Sequence, residues 1–305
     1  MKKIFFYLVL LIILGFNSCI TYIDRELDIK PKLVLFCYLV PQLDTTIVRL
    51  TNSASLFTSN PQRPQYITHA TVEISDNNIN WVPLRLETEQ LYYIITQADF
   101  PIIEGKTYYI RASTMDYETV YASCTVPVLR ETNTNVVLRD TLVDTWGNRY
   151  MPGDISWTDY PNENNYYIFC DKSFYEWYEG EFIWNEEGLG GEWIITDTSY
   201  GYSWRPLSEP NYRRSCIYSD NGMNGKKMSI PIEVHLGTLG YSEYIWFEIT
   251  QLQTDINCYL FETSMMDYNS DLQFFMLEPQ QLYSNIKNGY GLFGAFVMKG
   301  CNVEN

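Results

Sequence analysis

Residues 105–126 read GKTYYIRASTMDYETVYASCTV. Gly105 opens one short strand that ends at Thr114, a second runs from Tyr117 to Val126, and Pro127 closes it. Proline has no N–H to give to a ladder, so a strand stops there. The same kind of segment recurs on moving back toward the N-terminus. LYYIIT occupies 91–96, Trp81 to Leu86 returns from the turn Asp76-Asn77-Asn78, and ATVEIS at 70–75 places Val72 and Ile74 on one face. TIVRLT at 46–51 alternates apolar and polar residues, as a half-buried strand does, and KLVLFCYLV at 32–40 stops at Pro41. Between them, residues 52–68 are a loop rich in Ser and Asn with Pro61 and Pro64. Seven short strands with regular turn signals, and no helical period in competition, predict an immunoglobulin- or fibronectin-III-like β-sandwich over 32–127.

The segment 128–305 reads as a second β-rich domain. Asn135 to Val143, Asp154 to Thr158, Asn165 to Asp171 and Lys227 to Leu236 are strands, and Ser219-Asp220-Asn221-Gly222 and Asn224-Gly225 are turns. Then the period changes. Tyr241, Tyr244, Ile245, Ile249 and Leu252 fall at helical spacing, which predicts one substantial helix over 241 to about 265, broken near Asp255-Ile256-Asn257. Tyr283 to Gly289 is a turn and Gly291 to Met298 a terminal strand. The whole is mostly β.

Composition narrows the functions. The 305 residues are 46% hydrophobic, 16% aromatic and only 19% charged, which excludes wholesale disorder, collagen repeats and a coiled coil. With 21 basic residues against 37 acidic, the net charge is −16, and no basic face exists for a phosphate backbone, so no nucleic-acid partner is expected. Two histidines, His69 and His235, leave little room for multi-His metal sites or His-based proton transfer.

The N-terminus carries an address. Met1-Lys2-Lys3 precedes IFFYLVLLIILGF at 4–16, an uncharged core of secretory-signal length and too short to span a bilayer. Ser18 then stands directly before Cys19, which resembles a bacterial lipobox. Residues 1–18 read as a lipoprotein signal peptide, Cys19 as the site of lipid attachment, and 19–31 as a polar tether ending at Pro31. Losing Lys2 and Lys3 makes the remainder more acidic still, and an acidic body is repelled by anionic headgroups. Attachment therefore rests on acyl chains, more than one of them. The other reading is an ordinary signal peptide, with Cys19 left for a disulfide.

Six further cysteines, at 37, 124, 170, 216, 258 and 301, permit three disulfides in an exported protein and show no CxxC spacing. Cys37 and Cys124 lie on the first and last strands of the same domain and form the candidate pair; the alternative is that they are small buried hydrophobes.

The C-terminal stretch Tyr283-Ser-Asn-Ile-Lys-Asn-Gly-Tyr-Gly-Leu-Phe-Gly-Ala-Phe296 resembles the closing signature of domain-of-unknown-function family 4249, lipoproteins of Bacteroidetes-type bacteria. Other pieces fit in order: the acidic Asp24-Arg-Glu-Leu-Asp28 after the lipobox, Ala70-Thr-Val-Glu-Ile-Ser-Asp76, Cys124-Thr-Val-Pro127, Ile155-Ser-Trp-Thr-Asp159, Ser219-Asp-Asn-Gly-Met-Asn-Gly225 and Leu239-Gly-Tyr-Ser-Glu-Tyr244. The resemblance implies an outer-membrane lipoprotein, often encoded beside TonB-dependent receptors, with no enzyme activity, no cofactor and no catalytic residues. Gly289 and Gly291 read as places of tight backbone geometry, and Asn285 as a turn residue.

Residues 174–218 are unusually aromatic, with Trp177, Trp184, Trp193 and Trp204 as candidate interface residues. Tyr and Trp bury a large flat body at low entropy cost and keep a polar tip satisfied, so they suit protein interfaces and sugar rings. Three functions remain: an accessory partner of a TonB-dependent β-barrel receptor, a stand-alone surface lipoprotein binding glycan or peptide, and a glycoside hydrolase using a carboxylate pair from Glu176, Glu179, Glu181, Glu186 and Glu187. No GxSxG elbow, phosphate loop or complete calcium loop is present, and the first function is expected.

Overall fold

The computed structural model describes residues 30–53, 64–145, 147, 149–178, 181–184, 191–195, 202–203, 215–236, 244–271 and 282–304. The chain divides into two units, Met1–Pro31 with Ala54–Arg63, and Lys32–Ser53 with Pro64–Asn305; the described sheets all belong to the second. They are a ten-stranded, a six-stranded and a four-stranded sheet, with one helix, Ile256–Asp271. The protein is mostly β.

In the first strand, Leu33–Leu39, every second residue is buried, so Leu33, Leu35, Cys37 and Leu39 form one face. It pairs antiparallel with Thr45–Asn52 in the large sheet. Thr71–Ser75, Thr107–Ser113 and Val120–Thr125 form the small sheet with Val82–Pro83. The two sheets face each other across one cluster that includes Leu35, Val48, Ile74, Tyr108 and Ile110. The sandwich read from residues 105–126 is thus present. Cys37 and Cys124 both lie in this core as free thiols, and no bond joins them. Burial pushes the Cys37 thiol far above its ordinary range, where it acts as a small hydrophobe.

A second cluster centres on the fully buried Trp157. Its indole lies 4.8 Å from the ring of Phe169, 5.4 Å from Tyr218 and 5.8 Å from Tyr167, centroid to centroid. Trp157 comes from Arg149–Thr158 in the six-stranded sheet, which pairs with Lys227–Leu236. The other rings come from Tyr166–Tyr178 and Ser215–Ser219 in the ten-stranded one.

The C-terminal strand Tyr290–Gly300 ties the two clusters together. It runs parallel to Leu33–Leu39 on one side and antiparallel to Tyr244–Thr254 on the other. The parallel contact is close at its start. Gly291 has φ +114°, and a Cβ there would strike the carbonyl of Leu35. At Gly289 a Cβ would come within 2.5 Å of the Leu33 carbonyl oxygen and 2.7 Å of Val120 Cγ1. The tight geometry expected of both glycines is present. Asn285 acts as a short length of backbone: its Nδ2 donates to Phe293 O at 2.7 Å and its Oδ1 accepts from Phe293 N at 3.0 Å.

The helix expected over 241–265 is corrected. Tyr244–Thr254 is a strand, and the helix begins only at Ile256. The strand lies between two others and is buried on both faces: Ile249 packs in the Trp157 cluster, while Leu252 packs with Ile168 and Phe296 in another. Apolar residues on opposite faces three positions apart imitate a helical period. Asp255, read as a helix break, is the helix start. Its Oδ1 accepts from Cys258 N at 3.0 Å, as an N-cap does.

Candidate functional site

The residues singled out by sequence meet different fates. Cys19 and Trp204 lie outside the described residues. Trp177 is on Tyr166–Tyr178 with its backbone opposite Phe182 and Tyr244, and Trp184 pairs with Tyr175, both in the ten-stranded sheet. Trp193 pairs with Val234 in the six-stranded sheet. Of the three described tryptophans, Trp177 and Trp184 thus share one sheet and Trp193 belongs to another. His69 is exposed and pairs with Asp116 at 3.2 Å, with no nucleophile in that pair. Among the described residues no group of three or more His, Cys, Asp or Glu could hold a metal ion, and no helix is long and apolar enough to cross a membrane.

Three buried carboxylates serve the fold. Asp159 accepts from Tyr167 Oη at 2.6 Å and from Gly225 N at 2.7 Å, which fastens the expected turn at 219–225. Asp220 lies in that turn, and burial holds its carboxyl above the usual range. Asp255 accepts from Cys258 N, from Ala295 N at 3.2 Å and from Asn257 Nδ2 at 2.7 Å. Burial outweighs those bonds and raises its pKa.

Chemistry converges instead where the far end of the first sandwich meets the second cluster. A cleft of about 220 Å³ lies between Gly105 and Thr125–Val128 on one side and Arg130, Glu163–Tyr166, Gln253 and Thr254 on the other. Gly105 bonds its N–H to Val126 O at 2.8 Å, which closes the strand end. Arg130 follows the proline that stops that strand. Its guanidinium grips Glu163 with both arms, Nε to Oε1 at 2.7 Å and Nη2 to Oε2 at 2.8 Å. The same group lies over the ring of Tyr160 at 4.4 Å. The carboxylate beside it raises the pKa of Arg130. Gln253 fixes the backbone of Arg130 from both sides, donating Nε2 to its O at 2.7 Å and accepting its N–H at 2.8 Å.

Next to Gln253 stands Thr254, buried, whose Oγ1 has no hydrogen-bond partner in the protein. On the same side of the cleft, Tyr166 is half-buried and its ring rests on Tyr259 at 4.7 Å. No motif in the sequence marks these residues. Gln253 and Thr254 fall within the segment that the sequence reads as a helix. Only a strand buried on both faces makes two such polar residues conspicuous.

A family model described as Domain of unknown function (DUF4249) matches residues 21–299. None of the curated proteins matches the chain. Two solved structures are similar at low level. Salmonella alpha-2-macroglobulin, in its mutant Y1175G, has 9% sequence identity and a TM-score of 0.25, over 90% of this chain and 15% of that one. The T6 backbone pilin of serotype M6 Streptococcus pyogenes has 7% identity and a TM-score of 0.23, over 90% of this chain and 64% of that one.

Proposed function

The chain belongs to the DUF4249 family, and on that premise we propose that it is a lipid-anchored, non-enzymatic binding protein of a bacterial outer membrane, the accessory partner of a TonB-dependent β-barrel transporter. Cys19 carries the lipid and residues 20–31 are the tether. One observation supports this reading best. The tether's sequence leads into Leu33, and the cleft at Gly105 and Val126 lies at the opposite end of the same sandwich. The register fixes that opposition. Val120 and Gly289 sit beside Leu33, whereas Gly105 and Val126 close the other end of the strand pair Thr107–Ser113 and Val120–Thr125. A body attached at one end presents its recognition surface at the other.

Anchoring also supplies affinity. Two proteins confined to one membrane meet at high effective concentration, so a modest interface suffices. The test is cross-linking in intact cells with a C-terminally tagged full chain, followed by mass spectrometry of the captured proteins. A β-barrel receptor recovered at near-equal stoichiometry, and lost together with membrane association in Cys19→Ala, is the expected result. Recovery of the chain alone from the membrane fraction overturns the accessory role.

A further inference from the structure

We propose that the cleft at the junction of the two clusters is a binding site for a neutral, hydroxyl-rich ring, a single saccharide unit. Four observations lead there, and none depends on the lipid anchor or on a receptor.

The first is size. About 220 Å³ is room for roughly seven waters at ~30 Å³ each. It falls below the roughly 300–1,000 Å³ of sites that enclose drug-sized ligands, so it takes one small ring or the end of a longer chain.

The second is charge. The two ionised groups at the cleft, Arg130 and Glu163, are bonded to each other through both arms. An anionic ligand would need an unopposed cation and a cationic one an unopposed carboxylate. Neither is offered without breaking a charge-assisted pair.

The third is where the main chain is committed. Val126 N–H is taken by Lys106 O, Gly105 N–H by Val126 O, Leu129 N–H by Glu104 Oε2, and both polar groups of Arg130's backbone by Gln253. A peptide laid along this wall as an added strand would need a row of open N–H and C=O groups. At Gly105, Val126 and Arg130 those N–H groups are already taken.

The fourth is which side chains are left. Thr254 Oγ1 is buried without a partner, an arrangement that is costly unless something completes it. The Tyr166 hydroxyl and the exposed Asn164 amide lie on the same cleft. Each of these groups both donates and accepts, which is what a sugar hydroxyl requires of its partner. The half-buried Tyr166 ring supplies apolar surface for the C–H face of the ring.

The test is saturation-transfer NMR on the full chain in a zwitterionic, sugar-free detergent. The probes are D-glucose, D-galactose, D-mannose and N-acetyl-D-glucosamine, with D-glucuronate as the charged control. The expected result is transfer to ring protons of at least one neutral sugar and none to glucuronate. Thr254→Val should weaken that binding about three- to tenfold, the worth of one hydrogen bond, and Thr254→Ser should restore it. Asn164→Ala, at an exposed position, should also weaken it without affecting folding. Absence of transfer from all four neutral sugars overturns the proposal. So does transfer that Thr254→Val and Asn164→Ala leave unchanged, or a preference for glucuronate. Receptor capture fails or succeeds separately, because no sugar enters that experiment.

Discussion

The first sandwich and the second cluster bury polar atoms in opposite ways. In the sandwich, Tyr108 Oη donates to Pro101 O at 2.8 Å and accepts from Ile103 N at 2.8 Å. Tyr93 Oη likewise donates to Ile67 O at 3.0 Å and accepts from Ala70 N at 2.9 Å. In the second half, Asn135 Oδ1, Trp157 Nε1, Gln251 Nε2 and Thr254 Oγ1 are buried without a partner. Orphaned buried polar groups are rare in well-packed proteins because each costs about 1–3 kcal/mol. The sandwich is therefore built as a scaffold, with its hydroxyls spent on fixing loops. The second half keeps unpaired groups in its interior, and one of them, Thr254, lines the cleft. The contrast separates a half whose buried hydroxyls are paired from one that leaves some buried polar groups open.

The largest effect that could sharpen the contrast is at Trp157. Truncation to Ala removes the ring on which Tyr167, Phe169 and Tyr218 pack, and should cost about 3–5 kcal/mol in denaturant unfolding. Trp157→Phe deletes the partnerless N–H along with part of the ring, so its cost should be less than half of that. Equal losses for the two variants would mean that the indole N–H is satisfied and would erase one of the four orphans.

A smaller effect comes from pH. Asp255 and Asp220 both titrate above the ordinary carboxylate value, burial being the first cause for each. A folded state that holds its proton more tightly than the unfolded one is favoured at low pH. The stability these two groups contribute is full below the unfolded carboxylate pKa near 3.8 and is lost as pH rises through their raised values. Asp255→Asn cannot titrate, yet its Oδ1 can still accept from Cys258 and Ala295. Its stability should fall less steeply over that window than the parent's, leaving the share of Asp220. A parallel fall would remove Asp255 from the account.

How much of this was legible in the sequence follows from the same contrast. Sandwich strands bury one face, so alternation at 46–51 and in ATVEIS announced them, and turns and prolines marked their ends. Tyr244–Thr254 is covered on both sides, so period 2 disappears and Ile249 and Leu252 fall into false helical register. The glycines at 289 and 291 were readable because one strand passes very close to another, a demand that only glycine meets. The cleft was not readable. Arg130, Glu163 and the adjacent pair Gln253-Thr254 come from three separate stretches of sequence, and the pairing of Tyr290–Gly300 with both halves is what brings their elements together. Cys37 and Cys124 share a core as expected of a pair, but in the structure they serve it as thiols.

The most direct test of the contrast is to delete one hydroxyl from each region and compare the losses. Tyr108→Phe and Thr254→Val would be unfolded in denaturant side by side, without ligand. Tyr108→Phe should lose about 1–3 kcal/mol, since it strands the Ile103 N–H and the Pro101 carbonyl. Thr254→Val should match or exceed the parent, because it removes a group that has nothing to bond. Equal destabilisation of the two would contradict the account, placing the Thr254 hydroxyl among the groups that hold the fold.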